Sequence, residues 1–271
     1  MGQKKLLLLL LTVFVGGTLF ATGMAEDSET EPLIVGMELQ FPPFEMTDPN
    51  GEPTGISVDM AYAFGEYLGR PVEIRNIEWT GLIPALRTGS VDIVISSMTI
   101  TPERDEQIDF SIPYVQAGLT LLVSADSPVQ GEEDLNESGI VLAVKSGTTG
   151  AITAQEKFPN AEIRVFDTVT ACVLEVAQGK ADAFIYDALT VYENWQNNPD
   201  TTRPVFQSIE GTFGDWGAGL PEGSDLKPEI DAFIREFRRN GGFDRLGEKY
   251  LGDIQAVFEE EGVSFFFDIE E

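Results

Sequence analysis

No histidine occurs anywhere in the 271 residues. That absence removes Ser-His-Asp and Cys-His catalysis and every His-ligated metal site. Cysteine is nearly as scarce: Cys172 stands alone, so no disulfide can form within the chain. It sits in a helical apolar pattern with Val169, Val173 and Val176, which predicts a buried thiol and not a reactive one. Basic residues are few, 17 Lys and Arg against 46 Asp and Glu, for a formal net charge of −29. Phosphate contacts need a basic face and none is visible, so nucleic acid is excluded as a partner. A hydrophobic run of membrane-spanning length is missing after the first 25 residues.

Those first residues are of a different kind. Lys4-Lys5, the apolar run Leu6 to Val15 and the small-x-small step Gly23-Met24-Ala25 predict a signal peptide over residues 1–25, cleaved after about Ala25. No cysteine stands near that cut, so the expected mature chain carries no lipid anchor and is placed in the periplasm. Cleavage takes two lysines and no acid, leaving 15 cations against 46 acids, a net charge of −31. Carboxylates hold water and salt blunts their repulsion, so this surface suits a high-salt host, with a merely acidic lineage as the alternative. A hydrophobic content of 42% supplies core for one large domain or two of ordinary size.

Strand and helix patterns alternate along the mature chain. Strands are predicted over residues 33–39, 71–77, 91–95, 140–144, 161–166 and 181–185, and helices over 58–68, 80–87, 149–158, 170–178 and 189–196. Two longer extended pieces, 117–123 and 213–220, interrupt the alternation, and two amphipathic helices follow over 226–239 and 243–250. Asp48-Pro49-Asn50-Gly51 is a turn; it lacks the alternating acids and terminal Glu of a calcium loop. The pattern predicts an α/β chain of βαβ units with mostly parallel sheets.

An internal echo divides the chain in two. Arg87-Thr88-Gly89-Ser90-Val91-Asp92-Ile93-Val94-Ile95 resembles Ala177-Gln178-Gly179-Lys180-Ala181-Asp182-Ala183-Phe184-Ile185: a helix end, a glycine, an Asp and a buried strand. Ligands of open α/β sheets gather beyond the carboxyl ends of parallel strands. Those ends carry Glu38 to Phe41 and Ser96 to Thr99 in one half, and Lys145 to Thr149 and Tyr186-Asp187 in the other.

The stretch Ser96 to Arg104 brings hydroxyls, a Pro-Glu-Arg helix start and a guanidinium within nine residues, a set that suits a carboxylate. Its bland alternative is a polar loop with a surface arginine. Asp187 supplies an acceptor in the other half, or simply caps the helix that follows. Arg104 with Thr99 and Ser97, set against Asp187 and the Gly147-Thr148-Thr149 turn, complements a zwitterion: carboxylate on Arg104 and the helix terminus, ammonium on Asp187. Phe41 and Trp79 could flank a ligand side chain, although each taken singly also reads as core.

Phe41-Pro42-Pro43-Phe44-Glu45, Gly55-Ile56-Ser57-Val58-Asp59, Gly81-Leu82-Ile83-Pro84-Ala85-Leu86, Ser96 to Arg104, Val144 to Thr149 and Ala181-Asp182-Ala183-Phe184 together resemble the periplasmic amino-acid-binding proteins that serve ABC importers. The resemblance covers residues 33–251. It implies a two-lobed, type II periplasmic-binding-protein fold, each lobe a mostly parallel sheet flanked by helices and joined by two hinge strands near 118–124 and 213–220. The implied division is lobe 1 over 26–122 and 217–251 and lobe 2 over 123–216; beyond 251 the resemblance fades, and the Phe265-Phe266-Phe267 run in the acidic tail over 252–271 predicts docking on lobe 1, with a partner-binding tail as the alternative. The resemblance implies Arg104, Thr99 and Thr148 or Thr149 on the α-carboxylate, and Asp187 with Ser97 on the α-ammonium. Phe41 and Trp79 match the flanking rings, and Glu38 matches an acid that reads a polar side chain. Lys145 matches a lysine of glutamine-type members, whereas Ser96-Ser97 is closer to the basic amino-acid type, so a glutamine-like and a basic ligand both stay open. No cofactor and no metal is implied; the partners are an amino acid and a membrane permease, and the protein is a monomer. The alternative is an exported enzyme on the same scaffold, a cyclohexadienyl dehydratase with Glu38 as general acid. A Lys145–Ser146 dyad is disfavoured, since neighbours on a strand face opposite sides. A receptor sensor domain lacks its membrane helix.

Overall fold

The computed structural model describes residues 31–252, 254–263 and 266–267. The signal-peptide expectation for 1–25 lies outside the described residues. The chain opens with β1 (Leu33–Met37) and a small antiparallel sheet of β2 (Gln40–Phe41), β3 (Glu45–Thr47) and β4 (Pro53–Thr54). Helix α1 (Ile56–Leu68) leads to β5 (Val72–Asn76), α2 (Leu82–Arg87) and β6 (Ile93–Val94). The one-turn α3 (Pro102–Asp105), β7 (Asp109–Phe110) and β8 (Val115–Ala117) close this passage. The next contains β9 (Leu119–Ser124), β10 (Val141–Lys145), α4 (Thr149–Lys157) and β11 (Glu162–Phe166). It continues through α5 (Val169–Ala177), β12 (Ala183–Asp187), α6 (Ala188–Asn197) and β13 (Thr202–Val205). Strands β14 (Gly214–Trp216) and β15 (Gly219–Leu220) bring the chain back to α7 (Leu226–Arg239), α8 (Gly242–Tyr250) and α9 (Ile254–Glu261).

Two five-stranded sheets result, ordered β5-β1-β6-β15-β7 and β11-β10-β12-β9-β13. In each, four strands share one direction and the fourth in order opposes them. The opposing strand is the one that has just crossed from the other lobe: β9 follows β8, and β15 follows β14. The crossing strands β8 and β14 pair with each other, antiparallel, between the two sheets. One hinge expectation therefore moves. Residues 118–124, expected as a hinge strand, lie almost wholly in β9, which hydrogen-bonds to β12 and β13 inside the second sheet. The apolar run that made this piece look like a long crossing strand is instead fully buried between neighbours.

The cores follow from strand alternation. Leu33, Val35 and Met37 of β1 are fully buried on one face, in the core shared with α1, α7 and α8, while Ile34 packs on the opposite face with Leu82 and Leu86 of α2. In the second lobe Leu142 and Val144 face one core and Ala143 the other, where Cys172 lies fully buried with Phe184. Burial pushes the Cys172 thiol up to about 12, so it is an inert core residue as expected. Helix α1 starts two residues earlier than its periodicity suggests. Gly55 before it has φ +127°, and a Cβ there would come within 2.4 Å of the Phe44 carbonyl oxygen. The tail also departs from expectation, because it docks on both lobes: Phe266 packs on Phe44, and Phe258 packs on Tyr192 and Phe206.

Candidate functional site

A cleft of about 600 Å³, solvent mouth included, lies between the two sheets at the carboxyl ends of β1, β6, β10 and β12. Nine of the eleven residues singled out from the sequence line it: Glu38, Phe41, Trp79, Ser96, Ser97, Thr99, Arg104, Thr149 and Asp187. Lys145 and Thr148 stand behind the surface. The Thr148 hydroxyl caps α4, accepting from Ala151 N and donating to the Lys145 carbonyl at 2.8 Å. Lys145 Nζ donates to Glu38 Oε2, joining the lobes through an ion pair whose side chains are 3% and 4% exposed.

Arg104 reaches the cleft from α3, which starts with Thr101 as cap and Pro102 in its first turn. Its residue is 6% exposed, and its guanidinium donates to two carbonyls, Thr99 O at 2.6 Å and Gly147 O at 3.1 Å. Its carbon centre lies 5.2 Å from the Trp79 ring centroid. Burial pulls its pKa down to about 10, which leaves it cationic at neutral pH. Asp187 ends β12 and caps α6: one oxygen accepts from Leu189 N and Thr190 N, both at 3.0 Å, the other from Thr190 Oγ1 at 2.8 Å. Burial raises its pKa against the pull of those bonds. Both readings of Asp187, cap and cleft wall, hold at once. Neither Arg104 nor Asp187 has an ion-pair partner among the described residues.

The N-terminus of α4 presses close to β12. A Cβ on Gly150 would sit 2.6 Å from the Ile185 carbonyl oxygen, so glycine is required there. This approach places Thr149 and Gly150, at the positive end of the helix dipole, on the cleft, an anion-accepting edge. Across the gap, Trp79 Nε1 donates to Gly147 O at 3.0 Å, the same oxygen that Arg104 uses.

Sequence reasoning missed two parts of the wall, Glu45 and Trp216. Glu45, quoted only within a motif, is 1% exposed; its Oε2 accepts from Ser57 at 2.6 Å and Ser97 at 3.0 Å, and its Oε1 from Ser96 at 3.2 Å. Burial, with the Glu38 charge adding to it, pushes this carboxyl up to about 8, so it carries its proton at pH 7. Ser97, one of its donors, has φ +50°, an uncommon state for a residue with a Cβ and a mark of a constrained site. Trp216 is the other, and it lines the cleft together with Tyr186, which the sequence places at a strand end. Phe41 packs on Phe44 at 5.4 Å, and on Trp216 and Tyr186 at 5.9 Å each, so rings from both lobes form one wall. The signal for Trp216 was an aromatic residue inside the extended piece 213–220. Glu38 accepts from Trp79 N at 3.3 Å as well as from Lys145, so both its oxygens act as acceptors, an arrangement unlike that of a proton-donating general acid. Among the described residues no group of three or more Cys, Asp and Glu side chains is placed to hold a metal.

The model of the bacterial extracellular solute-binding proteins, family 3, matches residues 33–253. The chain belongs to this family. The L-cystine-binding protein TcyJ of Escherichia coli (strain K12) is 27% identical over 230 residues, 83% of this chain and 84% of that protein. Among solved structures, the ancestral amino acid-binding protein AncCDT-1, described as a precursor of cyclohexadienyl dehydratase, is 36% identical. It matches at a TM-score of 0.73, covering 81% of this chain and 94% of that one. An ancestral arginine-binding protein bound to arginine is 32% identical, with a TM-score of 0.76 over 83% of this chain and 100% of that one. The two-lobed architecture and the family read from the motifs are thus borne out.

Proposed function

We propose that this family 3 protein captures a polar L-amino acid between its lobes and delivers it to the permease of an ABC importer. The observation that carries the reading is the pair Arg104 and Asp187: two buried, opposite charges without counter-ions among the described residues, on the wall of one cavity. An α-carboxylate on Arg104 and the α4 terminus, and an α-ammonium on Asp187 and Ser97, supply both missing partners. We assign the lobes as residues 31–114 with 217–252, and 118–213, joined by β8 and β14. Closure about those strands is favoured by ligand because only the closed form offers both sets of contacts. The acidic, exported chain acts as a monomer outside the cytoplasm.

Charge balance chooses among ligands. Lys145 already neutralises Glu38 from behind the cleft surface, so a neutral side chain leaves that pair intact, whereas a basic side chain has to compete with Lys145. This favours a glutamine-like ligand over arginine or lysine. Calorimetry and thermal shift against the twenty amino acids test both levels. A ligand at 100 times its Kd adds about 2.7 kcal/mol of stability. Binding of glutamine-like amino acids above basic ones supports the reading, and Lys145→Met is expected to shift preference toward basic ligands. Absence of any amino-acid binding defeats it.

A further inference from the structure

Part of the chain beyond residue 253, where the family match ends, forms the back of this site. Helix α9 carries Phe258, fully buried, with its ring 6.3 Å from both Tyr192 on α6 and Phe206 after β13. Phe258 also lies 5.8 Å from Phe266, which is 2% exposed. Phe266 in turn packs 5.5 Å from Phe44 and 6.2 Å from Trp216, and its carbonyl accepts the Gln116 N–H of β8 at 3.0 Å. Trp216 belongs to β14 and lines the cleft, and Phe44 stacks on Phe41, which lines it too. Both crossing strands are therefore gripped from behind, and one run of rings joins the second lobe to the ligand wall. Helix α6 starts at Asp187, so the element Phe258 holds is the element that presents the ammonium-binding carboxylate.

We propose that Phe258 and Phe266 are positioning residues of the ligand site, a C-terminal strap that holds α6 and the Phe41–Trp216 wall in the closed arrangement. The argument is one of buried surface. Opening about β8 and β14 carries Tyr192 and Phe206 away from Phe258 and exposes apolar area that closure hides. The strap thereby raises the closed population, and the apparent affinity rises by the same factor. Its effect on affinity rests on the amino-acid reading; its effect on closure does not.

The full chain with Phe258→Ala, Phe266→Ala, and the volume-keeping Phe258→Leu and Phe266→Leu is titrated calorimetrically with L-glutamine and, in parallel, the other nineteen amino acids, at a temperature well below every variant's Tm. The alanine variants are expected to weaken binding at least tenfold, and the leucine variants to return within about threefold of wild type. A role in fold stability alone would lower Tm and leave Kd within twofold, which overturns the proposal. Small-angle X-ray scattering of the ligand-free proteins supplies a readout without ligand: Phe258→Ala is expected to have the larger radius of gyration. If wild type binds no amino acid but Phe258→Ala still expands, the amino-acid reading fails and the strap stands. If Arg104→Ala abolishes binding while Phe258→Ala leaves Kd and radius unchanged, the strap fails and the amino-acid reading stands.

Discussion

The two lobes repeat one scaffold in detail and differ where the strands end. Gly89 (φ +69°) and Gly179 (φ +66°) follow corresponding helices, and each leads to an Asp that clamps the start of the neighbouring parallel strand, β1 or β10. Asp92 Oδ2 accepts Ile34 N at 2.9 Å, and Asp182 Oδ2 accepts Val141 N at 2.8 Å. Arg75 bridges Glu73 and the Ser90 carbonyl; Arg164 bridges Glu162 and the Lys180 carbonyl. Beyond the carboxyl ends the likeness stops. The first lobe brings Glu38, Glu45, the serines and Arg104, whereas the second brings Lys145, Asp187 and the α4 terminus. A duplicated frame keeps the sheets in register, and the unlike ends give a cleft with complementary charge on its two sides.

The largest test of that contrast is removal of its first-lobe cation. Arg104→Ala is expected to cost about 2–5 kcal/mol of amino-acid binding, because a buried carboxylate loses its partner, and calorimetry measures it. Asp187→Asn probes the second lobe. Asparagine caps helices about as well as aspartate, so ligand-free stability should hold within ~1 kcal/mol while binding falls about 30-fold or more. Equal affinity for Asp187→Asn would mean that the cap is its whole role.

Frame residues should behave alike in both lobes. Asp92→Ala and Asp182→Ala each strand a β-strand N–H, at a cost of about 1–3 kcal/mol in urea denaturation. Each has one further partner, Ser127 Oγ on Asp182 at 2.8 Å and Arg70 Nη2 on Asp92 at 3.4 Å, so the two losses should be similar. A large loss in one lobe only would break the equivalence.

Glu45 separates the lobes by pH. Its folded pKa, about 8, lies above its ordinary 4.5, so the native state binds the extra proton between those values. Its contribution is therefore intact below pH 4.5 and is lost as pH rises toward 8, with a slope of up to about 1.4 kcal/mol per pH unit. Glu45→Gln mimics the protonated form, and its urea midpoints at pH 5 and pH 8 should lie closer together than those of wild type. Arg75→Ala and Arg164→Ala, at exposed strand edges, should shift the midpoint least and equally.

Much of this was legible in the chain. The alternation of strands and helices, the echo around Asp92 and Asp182, and the placing of Asp187 and of the loop that leads to Arg104 at strand ends follow from local periodicity and from where parallel strands finish. The rest depended on segments distant in sequence. Glu45 meets Ser57, Ser96 and Ser97 across 12, 51 and 52 positions, and no local pattern shows that they enclose it. Thr148 looked free for a ligand, but its hydroxyl is held by the helix it starts. Residues 118–124 looked like a hinge because a fully buried strand and a crossing strand share the same apolar run.

The sequence by itself determined the family, the two-part frame and the opposite charges, since those depend on residue type and spacing along one strand or helix. Only the tertiary structure decided the protonation of Glu45, the pairing of Lys145 with Glu38, the Phe41–Tyr186–Trp216 wall and the grip of Phe258 and Phe266 behind it. Burial, charge pairing and ring packing belong to the space between elements, and that space exists only once both lobes have folded against each other.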